Sequence, residues 1–186
     1  GNPLRGPNDI VFDQQGGFWF TDHGKNRPRD KDRTGVYYAS IDGQQIKEVI
    51  FPLEAPNGIG LSPDEATLYV AETPTGRVWA FDIKAPGELG GSRRMLAQLP
   101  DYHMFDSLAV DSDGNVCVAT LITGGITVHS ADGATARFID MPDILTTNIC
   151  FGGENLQTAY ITLSATGKLV SMPWHCPGLP LNFLNR

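Results

Sequence analysis

Cysteine is scarce in this chain: Cys117, Cys150 and Cys176 are odd in number and stand at none of the spacings that metal ligands usually adopt. That excludes a disulfide framework. Cys117 and Cys150 lie inside apolar strand patterns and read as small buried core residues, which suits a reducing compartment and a cytoplasmic location. No apolar run approaches the roughly 20 residues of a membrane helix, and no charged-then-apolar segment opens the chain, which starts Gly1-Asn2-Pro3. Basic charge is in deficit, with 14 Lys and Arg against 21 Asp and Glu and a formal net charge of −7. Such a mean field repels nucleic acid and anionic membranes alike. The local exception, Lys25 to Arg33, interleaves its five cations with Asp30 and Asp32 and reads as a solvated loop. Helical periodicity over roughly 11 residues is missing throughout. No serine stands in a nucleophile-elbow pattern, and no glycine-rich loop has phosphate-binding spacing.

What the chain does have is repetition. Its 186 residues, 41% hydrophobic, suffice for one domain with a buried core. The apolar triplets Ile10-Val11-Phe12, Ile59-Gly60-Leu61, Leu108-Ala109-Val110 and Ile149-Cys150-Phe151 are each followed by a turn and a second apolar run, such as Phe18-Trp19-Phe20 or Val116-Cys117-Val118-Ala119. Gly, Pro, Asp and Asn between the paired runs supply turn dihedrals that their β-branched and aromatic flanks cannot. A third run follows a glycine in every unit, at Gly35, Gly76, Gly125 and Gly167. A fourth follows in the first three units, over 48–51, 94–97 and 137–140. Short strands recurring in sets of four define an all-β fold, a β-propeller of four-stranded antiparallel blades, with repeats near 6–55, 56–104, 105–146 and 147–186 in a single domain. Trp19, Trp79 and the neighbouring Phe and Tyr residues read as packing between blades.

Three polar residues recur in register with these units. Asn8, Asn57 and Asp106 each precede an inner-strand triplet at equal intervals, 49 residues from Asn8 to Asn57 and 49 from Asn57 to Asp106. In an antiparallel meander the residues leading into the first strand and those leaving the second share one end of the blade. Asn8, Asn57 and Asp106 therefore share a mouth with Asp22-His23, Glu72-Thr73, Thr120 and Ser164. A ring of carboxamide and carboxylate oxygens suits a hard divalent cation, Ca2+ first, with Zn2+, Mn2+ or Mg2+ as alternatives. The bland readings are that Asn57-Gly58 is a turn signal and that Asn8-Asp9 after Pro7 caps a bend. Asn148 falls out of register, because the counterpart of Asn8 is Thr147. His103, His129 and His175 have no partners at ligand spacing and read as surface or structural.

The segments Gly6-Pro7-Asn8-Asp9, Trp19-Phe20-Thr21-Asp22-His23, Thr34-Gly35-Val36-Tyr37-Tyr38, Ala55-Pro56-Asn57-Gly58-Ile59, Leu61-Ser62-Pro63-Asp64, Leu68-Tyr69-Val70-Ala71-Glu72-Thr73 and Cys150-Phe151-Gly152-Gly153 occur in one order along the chain. Together they resemble the gluconolactonase / senescence marker protein / luciferin-regenerating enzyme family of six-bladed propellers. The resemblance implies about four blades present of six, with the N-terminal blades absent. It implies a central divalent metal, commonly calcium, and hydrolysis of a small-molecule lactone or related ester. By position, Asn57 and Asp106 resemble the family's later metal ligands, and Asn8 its substrate-contacting asparagine, within reach of the metal through water. A glutamate from the first blade normally completes the metal shell and is not among these residues. Gly6 stands where the family often has a substrate-holding arginine, with Arg5 one place earlier, so substrate identity does not carry over.

As the only acid of the three, Asp106 is assigned as ligand and general base, while Asp22 and His23 are expected to orient substrate hydroxyls or shuttle a proton. A rival reading is a binding propeller with a structural cation, and a third is a related propeller esterase or phosphotriesterase. A four-bladed ring closed on itself competes with an open arc; the arc leaves strand edges free for self-association.

Overall fold

The computed structural model describes residues 2–184. Among them there is no helix; fifteen strands form four antiparallel sheets in chain order. The first blade is β1 (Pro7–Phe12), β2 (Gly17–Asp22), β3 (Thr34–Ser40) and β4 (Ile46–Leu53). The second is β5 (Pro56–Leu61), β6 (Thr67–Glu72), β7 (Arg77–Ala85) and β8 (Glu88–Gln98). β9 (Met104–Val110), β10 (Val116–Leu121), β11 (Gly125–His129) and β12 (Ala136–Asp140) make the third, and β13 (Thr146–Gly152), β14 (Thr158–Leu163) and β15 (Lys168–Pro173) a three-stranded fourth. Inner strands pack side by side in the order β1, β5, β9, β13, with no comparable contact from β13 back to β1 among the described residues. The blades form an arc of a β-propeller.

Strand periodicity explains why the inner blades read as continuous apolar runs. In β6, Leu68 and Val70 face the first blade, packing with Trp19, Val36 and Trp79, while Tyr69 and Ala71 face Phe105, Leu108 and Val116 of the third. In β10, Val116 and Val118 join that second cluster, and Cys117 and Ala119 join Ile149, Ile161 and Leu163 of the fourth blade. A sheet sandwiched between two others must be apolar on both faces, so alternation disappears. The terminal blade keeps it. Ala159, Ile161 and Leu163 are buried, whereas Thr158, Tyr160 and Thr162 are only half-covered.

Two expectations need correction. Cys150 is exposed rather than part of the core, because it points away from its buried neighbour Ile149, on the side that no further sheet covers among the described residues. The second blade's outer strands are also longer than the sequence suggested. β7 runs to Ala85 and β8 starts at Glu88, paired around Pro86-Gly87 with Gly87 at φ 68°. The basic loop is held by ion pairs, Arg27 with Asp30 and Asp32 inside it and Lys31 with Glu54 just after β4.

Candidate metal and hydrolase site

All four inner strands break register at the same place. Pairing with the second strand shifts between Pro7 and Ile10, between Pro56 and Ile59, between Phe105 and Leu108, and between Thr146 and Asn148. The residues inside these breaks are Asn8-Asp9, Asn57-Gly58, Asp106-Ser107 and Thr147. A β-bulge twists the strand and re-aims side chains that strict alternation would send to opposite faces. Asn57-Gly58 thus lies within a strand and not in a turn, and Thr147 occupies the position equivalent to Asn8.

The bulges bring Asn57 up to Asp106 across adjacent blades, close enough for its side-chain amide to lower the Asp106 carboxyl. Asn57 is 5% exposed; its side-chain amide nitrogen also donates to Thr73 Oγ1 at 3.2 Å, and its side-chain oxygen Oδ1, among the described residues, accepts only from the Ser107 hydroxyl, at 3.5 Å. The first blade is stitched to this pair. Thr21 Oγ1 donates to the Asn57 backbone carbonyl at 2.7 Å and accepts from Asp9 N at 3.1 Å. Asp9 accepts from Ile59 N at 3.3 Å and interacts with the Ser107 hydroxyl. Asp9, Ser107 and Thr21 were not anticipated as site residues. Simple alternation sends Asp9 away from Asn8, and only the bulge, which one sequence does not display, turns it inward.

Electrostatics follow from that crowding. Burial pushes the Asp9 carboxyl up to about 6, against the lowering effect of its hydrogen bonds and with a further rise from Asp106. Burial also raises Asp106, offset in part by Asn57, the Ser107 N–H and nearby His23. Two carboxylates and a nearly free carboxamide oxygen form an oxygen-only donor set, which fits a hard cation. Gly58 permits the approach: a Cβ there would lie 2.5 Å from Leu108 N.

The other anticipated residues sort differently. Asn8 is exposed at the mouth and, among the described residues, makes no side-chain hydrogen bond. His23 is half-buried, with Nδ1 3.1 Å from Gly24 O, and acts electrostatically on Asp106. Asp22 is 1% exposed, and its oxygens accept from Arg5 N at 2.9 and 3.2 Å and from Gly6 N at 2.5 Å. That carboxylate anchors the segment leading into β1, as Glu72 does for the next blade by accepting from Glu54 N at 2.8 Å. Asn148 lines a largely aliphatic cavity of ≈ 250 Å³ between the inner strands, with Asp9 on its wall and Leu179 to Leu184 against it.

Residues 1–165 match the family described as SMP-30/Gluconolactonase/LRE-like region. The chain is 37% identical over 139 residues to lactonase drp35 of Staphylococcus saprophyticus, covering 73% of this chain and 42% of that protein. It is 29% identical over 192 residues to diisopropyl-fluorophosphatase of Loligo vulgaris, covering 96% and 60% respectively. A solved gluconolactonase of Xanthomonas campestris superposes with a TM-score of 0.76 at 32% identity, over 93% of this chain and 58% of that one. The chain thus spans about half the length of these relatives.

Proposed function

Because the chain belongs to the SMP-30/gluconolactonase/LRE-like family, we propose that it is the site-bearing part of a lactone hydrolase, in which Asn57 and Asp106 hold a divalent cation, calcium first. The observation that carries this reading is the contact of Asn57 with Asp106 at aligned bulges in adjacent blades. When bound, the cation supplies Lewis-acid polarisation of an ester carbonyl oxygen.

The rest is done by side chains. Asp106, raised by burial, takes the proton of the attacking water as general base and returns it to the leaving alkoxide. Asn8 and half-buried His23 orient the substrate's hydroxyls at the mouth, and His23 moderates the charge on Asp106. Asp22 supports the site by fixing the backbone before β1. A sugar-acid lactone, rich in hydroxyls, suits this polar rim.

The test is Asp106→Asn, which keeps the side-chain shape. It is expected to lower lactone hydrolysis by at least about 10²-fold and to abolish calcium binding, with the thermal transition retained. Full activity in chelator refutes the cation's part; full activity of the variant refutes the role of Asp106. The similarity to diisopropyl-fluorophosphatase favours a second reading, attack at phosphorus by the same site. Side-by-side assays on a lactone and a phosphotriester decide between them.

A further inference from the structure

A second cluster of metal-binding side chains lies away from the mouth. Asp111 follows β9, five residues beyond Asp106, or about 16 Å along an extended chain. After β15 the C-terminal segment runs back across this end of the arc: Ser112 N donates to Pro177 O at 2.8 Å, Gly178 N to Leu156 O at 2.8 Å and Leu179 N to Val110 O at 3.0 Å. A bend at His175-Cys176 sets both side chains against Asp111.

The Asp111 carboxylate is 0% exposed. Its Oδ1 caps the β9–β10 hairpin, accepting from Asp113 N at 3.1 Å and Asn115 N at 2.9 Å. The Asn115 amide nitrogen reaches both oxygens, at 3.1 and 2.9 Å. Oδ2 lies 3.7 Å from His175 Nε2, which is 3.4 Å from Cys176 Sγ, and the neighbouring Asp111 carboxylate acts on the Cys176 thiol. All three ligand atoms lie within 4.8 Å of one another. Tetrahedral zinc, with bonds of about 2.0–2.3 Å, spaces its ligand atoms by about 3.3–3.8 Å. The two measured separations fall in that interval. The matching cap of the first blade, Asp13, spends its side chain on its own hairpin and on the Tyr38 hydroxyl.

We propose that Asp111, His175 and Cys176 form a zinc-type site that fastens the C-terminal segment to the third blade, with the fourth position open to water. Sulfur and imidazole ligands select zinc or cobalt over calcium, so this centre and the oxygen-only mouth sort metals by softness. Burial and the neighbouring Asp111 push the Cys176 thiol up to about 12; the metal displaces that proton to bind thiolate. One group opposes binding. The exposed Arg137 guanidinium lies 3.2 Å from His175 Nε2 and 2.5 Å from Nδ1 and must swing aside.

The experiment is titration of the metal-free chain with Co2+ under reducing conditions. A thiolate-to-cobalt charge-transfer band and the intense visible bands of a four-coordinate ion are expected, reversed by Zn2+ and not by Ca2+. Cys176→Ser abolishes the charge-transfer band, while Cys150→Ser and Asp106→Asn leave it intact. His175→Gln, at an exposed side chain that tolerates change, weakens binding more than loss of an outer-sphere partner does, which is about 10–100-fold. Absence of the band in the parent chain, its survival in Cys176→Ser, or unchanged affinity in His175→Gln overturns the proposal.

Discussion

Gly58 is where packing and chemistry meet, and Gly58→Ala tests both. A Cβ at this position lies 2.5 Å from Leu108 N and 2.8 Å from both Asp106 O and Ser107 C. All three are backbone atoms of β9, so no rotamer change relieves the clash. Ordinary contact begins at 3.4 Å; β9 must therefore retreat from β5 by 3.4 − 2.5, about 0.9 Å. Overpacking of this kind costs about 1–3 kcal/mol, and in a domain of this size each kcal/mol lowers Tm by about 2–4 °C. The same retreat separates Asn57 from Asp106, and the calcium ion proposed to sit between them accepts oxygen only at about 2.3–2.6 Å. A displacement near 1 Å costs a positioned reaction about 10²-fold. Thermal unfolding and calorimetric calcium titration measure the two effects. Gly60→Ala is the control, because its Cβ meets Leu108 Cδ1 at 2.8 Å, a side-chain end that can turn away. An alanine at 58 with unchanged Tm and calcium affinity, or one at 60 that loses as much, refutes the reasoning.

Calcium is expected to stabilise the protein more at about pH 7 than at about pH 5. Asp9 stands at about 6 in the folded protein against about 3.9 unfolded, so the metal-free fold holds this proton more tightly and loses stability as pH climbs between those values. The raised Asp106 adds in the same direction; a cation that binds the ionised pair offsets the loss, and equal calcium-induced Tm shifts at both pH values count against this. Thr21→Val removes the hydroxyl shared by Asp9 N and Asn57 O, leaving the buried Asn57 carbonyl without that partner at about 1–3 kcal/mol and the part-buried Asp9 N–H at less; denaturant unfolding reads the loss. Trp19→Ala, emptying the interface of the first two blades, is expected to cost about 3–5 kcal/mol by the same measurement.

The architecture was legible in the residues because blade formation is local. Turn chemistry at Asp13 to Gly17 or Asp111 to Gly114 and apolar triplets on either side require only neighbours in sequence, and the equal spacing of Asn57 and Asp106 carried their shared position into the linear chain. The composition of the middle blades, apolar on both faces, likewise follows from stacking one unit on the next. Three things came only with tertiary structure. The bulges that turn Asp9 and Ser107 inward depend on how each strand is pulled against its neighbours, and period-two reasoning runs straight through them. The carboxylate of Asp22 is drawn to the N–H groups of Arg5 and Gly6, a pairing across a hairpin that makes it an anchor for the segment leading into β1. Asp111 meets His175 and Cys176 because the last segment folds back over two blades. Local preference sets which strands form; long-range packing sets which oxygen, nitrogen and sulfur atoms end up facing one another.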